Sequence, residues 1–213
     1  MNIAVIGWGS LIWCPGSLRI KTRWRGDGPT LPIEFARISE DERLTLVIHP
    51  GSPLQATYWA LSELTDLTEA RRNLMEREGC RSLRRIPYVC RDDASPEIPR
   101  EVDTQLKDWL PKHNEVEAVI WTALETNWDE KFHRDFSPQD AVRYLERLDA
   151  GRKRTKVAYE RAKEYITNAP PLIQTKVRAL MRDKGWHDAK LSDLFFEADG
   201  KEKPARGSNL RQS

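Results

Sequence analysis

The sequence predicts an α+β protein: a small mixed β-barrel over residues 1–128, a basic helical extension packed on it over 129–198, and a polar, disordered tail over 199–213. Two observations carry this reading. Six short apolar segments, near residues 2–7, 31–38, 43–49, 54–61, 86–90 and 116–124, are separated by turn residues and interrupted by one helical pattern. Beyond residue 136 apolar residues recur instead at helical spacing among many charges. A chain of 213 residues, 39% hydrophobic and 32% charged, can bury one good core with additions.

The first strand is the apolar run Ile3-Ala4-Val5-Ile6, and it feeds the turn Gly7-Trp8-Gly9-Ser10-Leu11-Ile12. Glycines there let backbone N–H groups come close to a ligand, so the loop from Trp8 to Ile12 is a candidate anion or oxyanion site. A dinucleotide fingerprint would need glycine where Ile12 stands, and Pro15 forbids a long helix after the turn. A serine-hydrolase elbow needs glycine at the same place, so Ser10 reads as a ligand-contact hydroxyl. Of the eight tryptophans, Trp8 and Trp13 flank this loop, and the others are expected to fill the core.

The next informative element is a helix over about Leu67 to Glu78. Asp66 with Glu69 marks its start and Gly79 its stop. At helical spacing Leu67, Ala70 and Leu74 form one stripe, Glu78 lies about 20° from the first of them, and Glu76 lies roughly opposite. Glu78 therefore points inward. Burial and the negative helix end both disfavour its ionised form, which suits general acid/base chemistry; the plainer reading pairs it with Arg81, Arg84 or Arg85.

The loop Trp8-Gly9-Ser10-Leu11 and the helix end Leu74-Met75-Glu76-Arg77-Glu78-Gly79 together resemble the gamma-glutamylcyclotransferase-like family. Such proteins open with a strand and a Tyr-Gly-Ser-Leu loop and place a catalytic Glu before a Gly at a helix end. Leu44 to Ile48 and Leu54 to Leu61 resemble the hairpin before that helix, and Pro87 to Cys90 the strand after it. The resemblance covers residues 1–128. It departs from the family at Trp8, where an indole N–H replaces a tyrosine hydroxyl, and at Gln55 or Ala56, where glycine is common.

The resemblance implies an enzyme that cyclises a gamma-glutamyl amide or peptide to 5-oxoproline with release of an amine, without a cofactor. Glu78 would be the general acid/base, and Trp8, Gly9, Ser10, Leu11 and Ile12 would bind the substrate, with Tyr88 lining the pocket. The alternative is a catalytically inactive small-molecule-binding or regulatory module of the same fold, and a less favoured one is nucleic-acid binding through the basic C-terminal helices.

Composition limits the other classes. No run approaches the roughly twenty apolar residues of a membrane span, and no signal peptide is evident, so a cytoplasmic protein is expected. Cys14, Cys80 and Cys90 are widely spaced, which points to free thiols, and His49, His113, His133 and His187 lack metal-ligand spacing. No metal is expected. The net charge is +2, yet Arg143 to Lys184 holds twelve Lys and Arg against five Asp and Glu. Helices are expected from Ser137 to Gly151, Lys153 to Ile166 and Pro171 to Lys184, with apolar faces on the barrel and basic faces left for solvent or an acidic protein partner; no nucleic-acid motif accompanies them.

Overall fold

A computed structural model describes residues 1–188. The tail expected over 199–213, with residues 189–198 of the extension, lies outside the described residues. Seven strands and seven α-helices are present among them. The strands are β1 (Ile3–Gly7), β2 (Thr30–Ile38), β3 (Leu44–Ile48), β4 (Leu54–Ala56), β5 (Tyr58–Leu61), β6 (Tyr88–Cys90) and β7 (Ala118–Ile120). The helices are α1 (Ser10–Trp13), α2 (Leu67–Arg77), α3 (Arg100–Trp109), α4 (Trp128–Phe132), α5 (Pro138–Asp149), α6 (Lys153–Thr167) and α7 (Lys176–Asp183).

The α+β class is as expected, but the strands form two open sheets in place of one closed barrel. A four-stranded sheet runs β5-β1-β7-β6 and a three-stranded sheet runs β3-β2-β4. The split originates at Thr57. The expected strand over 54–61 breaks there: Gln55 faces Leu31 on β2, whereas Trp59 faces Ile6 on β1. Thr57 is fully buried and donates its hydroxyl to the Pro29 carbonyl at 2.6 Å, which anchors the crossing point between sheets.

β1 is antiparallel to β5 and parallel to β7, in a register that sets Val5 opposite Ile120. All five of its residues are buried. Ile3 and Val5 join Ala70 and Leu74 of α2 in one apolar cluster. Ala4 and Ile6 join a second, larger cluster containing Phe35, Leu46 and the C-terminal helices. Such burial on both faces explains why β1 reads as a continuous apolar run instead of an alternating one.

The helical extension is part of this larger core. Tyr144, Leu145, Leu148 and Ile166 are buried in it, with Tyr159 and Leu180 partly buried against it. Ser137 caps α5 by accepting from the Asp140 amide at 3.1 Å. The third of these helices starts at Lys176, later than the expected Pro171, because Thr175 supplies the capping oxygen to the Arg178 amide. Its first turn is further held by the buried Glu34 of β2, which accepts from the Lys176 amide at 2.9 Å. Burial raises the Glu34 carboxyl above its ordinary pKa, against the opposing hydrogen bonds.

Candidate functional site

The site grows from the end of β1. Gly7 closes the strand, Gly9 takes the N-cap position, and the single turn of α1 stops ahead of Pro15. Tight packing fixes the glycine at position 9. A Cβ there would stand 2.5 Å from the Tyr165 hydroxyl oxygen, so only glycine lets the loop meet α6 this closely. Tyr165 is held from several sides: the Trp13 ring meets it edge-on with centroids 5.3 Å apart, Phe35 does so at 6.2 Å, and the Arg43 guanidinium lies 5.1 Å from its ring centroid.

The other wall comes from the end of α2. Asp66 caps the helix by accepting from the Glu69 amide at 2.9 Å. At the far end, the Cys80 amide donates to the Met75 carbonyl and the Gly79 amide to Glu76, with Gly79 at φ 64°. This paired bonding with a left-handed glycine is a Schellman termination. Glu78 is the last residue with helical backbone, φ −84° and ψ −5°, so its side chain keeps the direction of the apolar stripe while Gly79 turns the chain away.

The two walls enclose a cavity of about 40 Å³, lined by Ile6, Trp8, Gly9, Ser10 and Leu11 on one side and by Glu78, Thr122, Leu124 and Tyr165 on others, with Leu46 and Val47 of β3 completing it. Such a space holds about one water-sized group. Leu124 also borders a larger groove of about 630 Å³ that runs past Ile48 and Trp121 to Arg84 and Arg85.

Glu78 is paired with Arg77, whose Nη1 lies 2.6 Å from Oε1. Nη2 of the same guanidinium donates to the Cys14 carbonyl at 2.6 Å and to Ser10 Oγ at 3.3 Å, tying the helix end to the loop. The sequence reading offered Arg81, Arg84 or Arg85 as the structural partner; the turn at Gly79 carries these away, leaving Arg84 exposed and Arg85 paired with Glu125 at 3.1 Å. Burial raises the Glu78 carboxyl above its ordinary pKa even though Arg77 pulls the other way. The Tyr165 hydroxyl is also raised, by burial and then by the Glu78 charge, while hydrogen bonding from Ser10 opposes both.

Of the residues read from sequence, Trp8, Gly9, Ser10, Leu11 and Glu78 are brought together. Ile12 and Tyr88 are not among the lining residues. Ile12 packs in the cluster behind the loop, because the α1 turn rotates it away, and its amide is spent on the Gly9 carbonyl at 3.0 Å. Tyr88 stands on β6 and donates its hydroxyl to Asp93 at 2.7 Å. Sequence reasoning missed Leu46, Val47, Thr122, Leu124 and Tyr165. For Tyr165 a signal existed: with Ala158, Ala162 and Ile166 it marks the buried face of α6.

Among the described residues no cluster of His, Cys, Asp and Glu is arranged to hold a metal, and no helix is long and apolar enough to cross a membrane. Cys14, Cys80 and Cys90 are free thiols. Comparison with family models, curated proteins and solved structures finds no match for this chain.

Proposed function

We propose that the chain is a gamma-glutamylcyclotransferase-like enzyme that converts a gamma-glutamyl amide or peptide to 5-oxoproline and a free amine. One observation carries the reading: Glu78, a mostly buried carboxylate whose pKa is raised, lines one cavity with a glycine-containing loop. Burial favours the neutral form of this carboxyl and Arg77 its charged form, and a carboxyl in such a setting is suited to taking a proton and returning it.

The chemistry divides into two transfers. Glu78 takes a proton from the substrate's alpha-ammonium, and the freed amine attacks the gamma-carbonyl carbon, forming the ring C–N bond. In the tetrahedral intermediate the ring nitrogen still carries two hydrogens and a positive charge. Collapse cleaves the original amide C–N bond as Glu78 returns its proton to the departing nitrogen; the ring nitrogen loses its second proton to solvent to give the neutral lactam, and the released amine takes up a proton from solvent. The loop amides not engaged elsewhere would stabilise the developing oxyanion. The amine half would extend beyond Leu124 into the larger groove. Proton transfer at Glu78 requires Arg77 to release its carboxylate, since the two are paired at 2.6 Å.

The test is release of 5-oxoproline from a panel of gamma-glutamyl compounds by the wild type and by Glu78→Gln. The variant should keep the fold and lose turnover by roughly a hundredfold or more. Equal activity in the two proteins would contradict the mechanism. The Arg77–Glu78 pair and the small size of the cavity favour one second reading, a small-molecule-binding or regulatory module; ligand binding without turnover across the panel would select it.

A further inference from the structure

We propose that Thr122 is a ligand-contact residue of this cavity, donating its hydroxyl hydrogen bond to a carbonyl oxygen of the bound molecule. Thr122 is 8% exposed, its Oγ1 is buried without a hydrogen-bond partner, and the residue lines the same cavity as Glu78 and Ser10. A buried hydroxyl left unsatisfied is costly, whereas an apolar side chain of the same shape would be nearly neutral there. The position gives the hydroxyl a use. Thr122 follows β7 just as the loop follows β1, and the two strands are parallel neighbours, so both segments lie at the carboxyl ends of adjacent parallel strands.

The other donors around the cavity are largely committed. The Ile12 amide bonds to the Gly9 carbonyl, and both the Ser10 amide and the Ser10 hydroxyl bond to the Tyr165 hydroxyl. Thr122 Oγ–H is free to turn toward an acceptor, and it cannot be replaced in that role by its neighbours Ile6, Leu46, Val47 or Leu124, which are apolar. A carbonyl oxygen that gains charge during attack is the acceptor that profits most from such a donor.

The choice of probe rests on the cyclotransferase-like reading. Wild type, Thr122→Val and Thr122→Ser are compared in thermal unfolding, in calorimetric binding of 5-oxoproline, and in turnover of gamma-glutamyl-alanine. Thr122→Val should unfold at or above the wild-type temperature and lose roughly tenfold in affinity and in kcat/KM, the scale of one hydrogen bond, while Thr122→Ser retains both. Thr122→Ala takes the valine variant's place if the latter does not fold. Turnover by the wild type with no loss in Thr122→Val overturns the Thr122 assignment alone. Binding that depends on Thr122 without any turnover supports it and removes the enzymatic reading. A wild type that neither binds 5-oxoproline nor turns over the peptide overturns both.

Discussion

Tyr165 and Gly9 are the residues on which the geometry of the loop depends, and each explains the other. The clash that a Cβ at position 9 would make involves the Tyr165 hydroxyl oxygen at 2.5 Å, whereas the ring carbon bearing it is 3.6 Å away, an ordinary contact. Gly9→Ala should therefore destabilise the wild type by about 1–3 kcal/mol, the cost of overpacking a filled core. The same substitution in a Tyr165→Phe background should cost much less, and a double-mutant cycle in urea unfolding measures the difference. Equal costs in both backgrounds would contradict the packing. At this scale the sequence was informative where chemistry follows from local periodicity: Glu78 could be placed inward from its helical angle alone. Thr122 and Tyr165 could not be placed, because their proximity to Ser10 arises from strand pairing and helix docking between segments far apart in the chain.

Among the elements, α2 is the one whose boundaries do chemical work. Its termination at Gly79 aims Glu78 into the cavity, and the left-handed φ of 64° there is disfavoured for any residue bearing a Cβ. Gly79→Ala should lower stability by about 1–2 kcal/mol and, by disturbing the last turn, lower turnover more than an equally destabilising change at an exposed position such as Arg72. Unchanged activity in Gly79→Ala would separate the Schellman turn from the site. The start and stop of α2 were legible because Asp66, Glu69 and Gly79 are local signals. α3 went unread, although Val102, Leu106 and Trp109 all turn to the core at helical spacing; Pro96 and Pro99 just before it gave the stronger loop signal. The break at Thr57 left no comparable mark, since a strand that changes sheets keeps strand composition on both sides.

The site is assembled from five segments far apart in the described chain: the end of β1 with its loop, the end of α2, β3, the segment after β7, and α6. That the C-terminal helices pack on the strands was legible from their apolar faces, but the separation of the strands into two sheets was not, because patterning reports burial and leaves partner choice open. The basic character of the extension is also moderated by folding. Arg143 pairs with Asp140, Arg161 with Asp41, Lys156 with Asp149, and Lys184 with Glu146, while Arg178 is buried against Asp188. These pairs spend on internal partners part of the charge that a nucleic-acid surface would need.

The central claim is that the loop, Glu78 and α6 form one ligand site, in which Arg77 holds Glu78 until a ligand displaces it. A crystal structure of the protein soaked with 5-oxoproline tests it most directly. The account predicts the ring in the cavity lined by Ser10, Glu78, Thr122 and Tyr165, its lactam nitrogen within hydrogen-bond distance of Glu78, its carbonyl oxygen on Thr122, and the Arg77–Glu78 pair separated. A ligand bound elsewhere at saturating concentration, with the Arg77–Glu78 pair intact, would contradict it.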